Sequence, residues 1–303
     1  MIVADLSPRE LTRSLANGSL RLRTGPVVSR IRSRLPSVAQ GVALHYADYP
    51  LEDPDGFADF DVRIAPPRNT RRWIKPQVYF HFDGASPFLP LPANQAFAML
   101  EWGLNWCVSS HCHQYLIVHS AAVEKSGYAL LFPGDPGSGK STLCAGLVSR
   151  GWRLLSDELT LLDIATGTVV PVPRPVSLKN ESIAAIGRFA PRATLSPPVH
   201  DTVKGSVAHM KAPTDSVRRA SEAARPRWIA LPRFERGAAP HLAPLSKARA
   251  FMHLADHAFN YDVHGRRGFE LLAEVIDGTD CFEFRYGALE DAVAVFDDLA
   301  RRA

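Results

Sequence analysis

The run Gly134-Asp135-Pro136-Gly137-Ser138-Gly139-Lys140-Ser141-Thr142 restricts this chain more than any other stretch. Its spacing, G-x-x-x-x-G-K-S, has meaning only between a strand and a helix. Residues 128–132, Tyr-Ala-Leu-Leu-Phe, give a continuous apolar strand before it. A helix over 140–149 follows, and Gly151 stands where a C-terminal glycine stops one. Gly134, Gly137 and Gly139 let the backbone adopt positive φ and turn its N–H groups onto an anion. Pro136 lacks an N–H and only shapes the loop. Lys140 brings a charge for the β- and γ-phosphates, and Ser141 a hydroxyl for Mg²⁺. The expected ligands are ATP and Mg²⁺, held by Gly134, Asp135, Gly137, Ser138, Gly139, Lys140, Ser141 and Thr142.

Asp157-Glu158 closes the apolar run Trp152-Arg153-Leu154-Leu155-Ser156. Neighbours on a strand point to opposite sides, so the two carboxylates are expected to differ in role. Asp157 is assigned to the metal and Glu158 to the base that accepts a hydroxyl proton, with the reverse order left open. Glu181, in Ser177-Leu178-Lys179-Asn180-Glu181-Ser182, is a candidate for a further Mg²⁺ ligand.

The remaining pattern divides into two regions, an N-terminal α+β region over 1–112 and an α/β region over 113–303. In the first, Ser7 and Pro8 open a helix over 8–15, and strands are expected at 20–23, 60–64 and 78–82. The prolines of 86–92 exclude helix and central strand. A helix then carries Phe97, Leu100, Leu104 and Val108 on one stripe, with Trp102 and Trp106 beside them as core. After residue 113, short apolar runs at 115–118, 128–132, 153–155 and 159–164 suit strands covered on both faces. Helices over 246–257 and near 269–276, a strand at 282–286 and a helix from 289 complete the chain. Between them, 188–236 reads as a looser segment with ten Lys/Arg against four Asp/Glu, an excess of +6. It reads either as a solvated face or as a lid for an anionic partner, with His209 and Lys211 as its phosphate contacts.

A net charge of +4 tolerates an anionic ligand and is too small to indicate nucleic acid. No apolar run reaches the ~18 residues of a membrane span, and no basic-then-apolar leader opens the chain. Cys107, Cys112, Cys144 and Cys281 are sparse and irregular, unlike a disulfide framework. The expected location is cytoplasmic. Cys107, His111, Cys112 and His113 match no familiar zinc spacing and read as an ordinary helix end.

From His119 to Leu162 the chain resembles the HPr kinase/phosphorylase family, in particular its HPr-kinase-related proteins. The resemblance rests on His119, on the loop Gly134 to Ser141, and on Arg150-Gly151-Trp152-Arg153-Leu154-Leu155-Ser156-Asp157-Glu158, where an Arg-Gly step leads straight into the acid pair. It implies a P-loop kinase core of the HPr kinase and phosphoenolpyruvate carboxykinase type behind a separate N-terminal domain. It also implies transfer to a serine hydroxyl of a protein or peptide, with His119, Lys140, Ser141, Asp157 and Glu158 functional. The chain has His119-Ser120 where the family has His-Gly, and Asp157-Glu158 where it has two aspartates. Arg266 or Arg267 is the nearest match to its later arginine. A kinase for a small hydroxyl metabolite, or a nucleotide-gated binding module without transfer, uses the same ATP-side residues. The reading allows a homo-oligomer.

Overall fold

The structure, a computed structural model, describes residues 1–302. It is a mixed α/β chain with three sheets and nine α-helices among the described residues.

Helix α1 (Pro8–Asn17) is delimited by its own sequence. Ser7 accepts from the Glu10 N–H, Glu10 answers the Ser7 N–H, and Gly18 ends the helix at φ 78°. Strands β1 (Arg21–Thr24) and β2 (Val27–Ser33) form a hairpin, and helix α2 (Pro36–His45) carries the chain over to β3 (Phe60–Ala65). β3 lies parallel to β2, while β4 (Gln77–Phe82) and the two-residue β5 (Leu91–Pro92) add antiparallel neighbours. The prolines thus leave only a stub at that edge. The expected strands are present, but β2 and α2 carry no clear period in the sequence. Helix α3 (Ala96–His111) packs on this sheet closely, because Gly103 has no side chain. A Cβ there would stand 2.0 Å from the Phe80 ring.

The second sheet is built around β6 (Tyr115–Lys125), β7 (Tyr128–Pro133), β8 (Arg153–Ser156), β9 (Leu159–Asp163) and β10 (Val169–Val170). Helix α4 (Lys140–Val148) follows β7. A third sheet of β11 (Val176–Lys179), β12 (Val199–Thr202) and β13 (Gly205–Met210) holds helix α5 (Glu181–Phe189) between its strands. Helix α6 (Thr214–Arg218) returns the chain to β14 (Arg225–Phe234). β15 (His241–Pro244), helices α7 (Lys247–Asp256) and α8 (Tyr261–Asp277), β16 (Asp280–Tyr286) and helix α9 (Leu289–Arg301) finish it.

β7, β14 and β16 run parallel, and β6 and β15 flank them antiparallel. Alternation along β7 sorts its side chains. Leu130 and Phe132 join the cluster with Phe284 and Phe296, and Ala129 and Leu131 join the one with Ile229, Leu271 and Leu272. The sheet is therefore covered by α4 and α9 on one face and by α7 and α8 on the other. The first sheet lies within residues 21–92 and the larger one begins at Tyr115, yet one hydrophobic cluster runs from Val3 to Phe296.

Two expectations need correction. Residues 188–236 are not loose, since they contain β12, β13, α6 and the buried strand β14. Trp102 is not core. It is half-buried, and the Lys204 ammonium stands 5.0 Å from its ring. Cys107, His111, Cys112 and His113 lie at the C-terminal end of α3, the helix end that the sequence suggested. His111 bonds the Cys107 carbonyl, His113 approaches Asn260, and burial pushes the Cys107 and Cys112 thiols up to about 12 and about 11. Among the described residues no helix is long and apolar enough to cross a membrane.

His45, fully buried and stacked 5.2 Å from Phe97, has no partner for either ring nitrogen. Burial lowers its pKa to about 4. Below the unfolded value near 6.5 the unfolded chain takes up this proton first, so stability falls as pH drops from 6.5 towards 4. His45→Phe is expected to remove about 2–3 kcal/mol of the acid loss at pH 4.5. Urea titrations of both chains at pH 7 and 4.5 check this, and equal losses would exclude it.

Candidate active site

The loop between β7 and α4 sits at the C-terminal ends of β7, β14 and β16, the end where open α/β sheets leave a crevice. Gly134, Gly137 and Gly139 have φ of 146°, 91° and 97°. Gly139 caps α4, and its carbonyl accepts a bond from the Tyr286 hydroxyl at 3.3 Å. The Lys140 ammonium folds back on the Gly134 and Asp135 carbonyls, the latter at 2.8 Å, and is almost fully buried. Burial lowers its pKa, with Asp157 opposing. Ser138 Oγ is buried with no partner. Asp135 and Thr142 lie at the mouth and on the first turn of α4, and His257 reaches Asp135 Oδ1 at 3.3 Å.

Register brings the acid pair to this loop. Ser120 of β6 lies opposite Pro133, the last residue of β7, and Ala122 opposite Ser156, the last residue of β8. β9 resumes the pairing with β6 at His119 opposite Leu159. Asp157 and Glu158 thus interrupt one long antiparallel run on β6, rather than simply ending a strand as the sequence suggested.

The two carboxylates have opposite surroundings. Asp157 is buried against α4 and β11. Its Oδ2 accepts the Ser177 N–H at 2.8 Å, the Ser141 side chain lies near enough to lower its pKa, and Oδ1 has no partner. Burial, reinforced by the charge of Glu158, raises its pKa to about 7. Glu158 turns the other way, towards α3. The Asn105 amide donates to its Oε2 at 2.5 Å, and the Lys179 ammonium stands 3.7 Å from Oε1. Burial raises its pKa, but Lys204, Lys179 and Arg174 outweigh it and hold the group below the usual carboxylate range.

His119 is half-buried, its N–H bonded to the His257 carbonyl at 2.7 Å and its ring beside Phe259. Burial and then the Lys140 charge lower its pKa to about 4, so the ring is neutral at pH 7. Glu181 does not join these groups. It is 88% exposed and paired with Arg236 at 3.3 Å. His209 and Lys211 are not lid contacts. His209 is buried beside His45 and Phe97, and Lys211 binds Asp48 at 2.8 Å. Arg266 and Arg267 bind Glu270 and Glu274 on their own helix. Arg219 pairs with Glu222, Asp215 and Glu124, beside Arg153 at the opposite end of β8 from Asp157.

Sequence reasoning missed Asn105, Arg174, Lys179 and Lys204. They come from α3, from the Pro173-Arg174-Pro175 link, from β11 and from the β12–β13 turn, and no local spacing unites them. Asn105 and Arg174 line a small cleft beside the acid pair with Trp102 and His209, while Lys204 stands over the Trp102 ring and Lys179 beside Glu158.

A Mg²⁺ site fits the pair Ser141 and Asp157, because Asp157 Oδ1 is a buried carboxyl oxygen lacking any bond. Among the described residues no three His, Cys, Asp or Glu side chains converge on a metal position. Mg²⁺ in phosphate sites commonly takes one or two protein ligands, with phosphate and water completing the shell. No model of a known protein family matches this chain, and neither does any curated protein.

Gly139 offers a direct test of the loop geometry. A Cβ there would lie 2.8 Å from Tyr286 Oη, on a backbone at φ 97°. Gly139→Ala is expected to cost roughly 1–3 kcal/mol and to weaken nucleotide binding. Thermal unfolding and titration with a fluorescent ATP analogue measure the two effects; wild-type values in both would mean that the loop tolerates this strain.

Proposed function

We propose that the chain is an ATP- and Mg²⁺-dependent kinase with a P-loop core of the HPr kinase type, acting on a serine hydroxyl of a protein or peptide. The observation that carries the nucleotide half is the meeting, at one end of one sheet, of Lys140, Ser141 and Asp157, with Asp157 Oδ1 unbonded. The loop N–H groups and Lys140 bind and orient the polyphosphate. Ser141 and Asp157 hold Mg²⁺, which supplies charge neutralisation at the phosphates when bound. Glu158, on the opposite side of the strand, receives the acceptor's proton. Its low pKa makes it a modest base and suits a reaction in which the proton leaves late. His119, neutral at pH 7, orients the acid pair or helps move the acceptor's proton.

The acceptor rests on the resemblance to the HPr kinase family. The +6 excess of 188–236 lends it little support, since Arg219 lies at the far end of β8 and Lys211 is tied to Asp48. The cleft beside Glu158 has room for about one water, too little to favour the second reading, a small hydroxyl metabolite.

Lys140→Ala is expected to abolish phosphate transfer without loss of fold, and circular dichroism with an ATP-consumption assay checks both. Glu158→Gln should lower transfer by roughly 10²-fold at unchanged ATP affinity. Asp157→Asn should instead raise the Mg²⁺ concentration required. Swapped phenotypes would reverse the two assignments. Mass spectrometry after incubation with Mg²⁺-ATP and a serine-bearing polypeptide is expected to find phosphoserine. Efficient phosphorylation of free serine instead would favour the metabolite, and ATP turnover without any labelled acceptor the gated module.

A further inference from the structure

We propose that Asn105 is a positioning residue for Glu158, and that a buried chain through Arg174, Glu101 and Tyr46 fixes the direction in which its amide points. This rests on the kinase reading, in which Glu158 is the base. The chain of bonds is continuous. Tyr46 Oη donates to Glu101 Oε1 at 2.7 Å, and Arg174 Nη2 donates to Glu101 Oε2 at 2.7 Å. Arg174 Nη1 donates to Asn105 Oδ1 at 2.5 Å, and Asn105 Nδ2 donates to Glu158 Oε2 at 2.5 Å. Tyr46, Glu101 and Arg174 are all less than one-tenth exposed.

The polarity of this chain is forced by chemistry. A guanidinium has only donors, and an ionised carboxylate only accepts. An amide standing between them has one workable orientation, with its oxygen to Arg174 and its NH₂ to Glu158. Flipping it would set NH₂ against NH₂⁺ and oxygen against oxygen. Glu101 and Asn105 are four residues apart and share one face of α3, so a single arginine engages both. Arg174 also binds the Glu101 backbone carbonyl at 2.9 Å, which ties it to the helix itself. Oε2 of Glu158 is thereby occupied, leaving Oε1, with Lys179 at 3.7 Å, as the oxygen available to an acceptor. Three of the four members lie within residues 1–112, so the N-terminal region completes the site instead of only flanking it.

Asn105→Asp keeps the shape, removes the donor and sets a like charge against Glu158. It is expected to lower kcat for ATP turnover by roughly 10²-fold, with KM for ATP within about twofold of wild type. Asn105→Leu should behave similarly, and Tyr46→Phe, which removes one hydroxyl from the far end, should show a smaller fall of the same kind. Arg174→Met strands Glu101 as a lone buried charge and is expected to unfold the chain, so it is not the probe. An activity-independent measurement accompanies these: proton exchange of the Asn105 side-chain amide by ¹⁵N NMR. It should be slow in the wild-type chain and fast in Glu158→Ala. Wild-type kcat in Asn105→Asp, or an Asn105 amide that exchanges as fast as that of exposed Asn17, overturns the inference. A wild-type chain that consumes no ATP sinks the kinase reading alone, and the exchange measurement still decides the placement of Asn105.

Discussion

β6 is the strand on which the candidate site depends. It carries β7 along one edge and β8 and β9 along the other, so the loop and the acid pair are both placed by pairing to the same backbone. The strands on its two sides are about 10 Å apart, two strand spacings. That separation is one a polyphosphate and its cation can bridge. A slip of one residue in either ladder would turn Asp157 towards α3 and Glu158 towards α4, exchanging their surroundings. The hydrophobic alternation of β7, with Leu130 and Phe132 against α4 and α9 and Leu131 against α8, opposes such a slip.

Much of this was legible in the sequence because it is written in local spacing. The loop, the stop at Gly151, the cap at Ser7 and the apolar runs of β7, β8 and β9 each lie within a dozen residues, where residue type and backbone conformation are directly coupled. The misses are of two kinds. β2 and α2 lack a clean period, since β2 is buried at nearly every position and α2 has no polar face. Arg174 and Asn105 are invisible for another reason. Their meaning comes from long-range polar contacts, 69 residues apart in one bond and 53 in the next. Glu181 erred in the opposite direction. It stood close in sequence to the acid pair, but the turn at Asn180 sends it to solvent and to Arg236.

The two carboxylates also show how neighbours decide which form a buried acid takes. Both lose hydration, a change that favours the neutral acid in each. Glu158 gains three cations and a fixed amide donor, which more than offset the loss. Asp157 has one backbone N–H, and Glu158's charge works against it. The site therefore holds one anion that its own fold satisfies and one that it leaves under-compensated. Mg²⁺ held by Asp157 and Ser141, as proposed above, would restore the balance, and its binding would be coupled to loss of a proton from Asp157.

The same contrast separates the two ends of β8. At its start, Arg153 and Glu124 form an ion pair with each side chain 3% exposed, and the Arg219 and Glu222 carbonyls accept from Arg153 Nη1. Charge is buried there, and it is matched by partners from the protein alone. At its end, Asp157 is equally buried and unmatched. Among the described residues from 113 onward, the side-chain polar atoms buried without a partner are Ser138 Oγ, Asp157 Oδ1, Ser177 Oγ and His209 Nε2. They belong to the loop, to the acid pair and to the walls of the adjoining cleft. An unmet buried polar group costs ~1–3 kcal/mol, so four of them gathered at one place are a sizeable penalty against a folded chain. A scaffold that gives Arg153 an ion pair and two carbonyls had the means to satisfy Asp157. That it does not is the physical reason to look for the ligand at this end of the sheet.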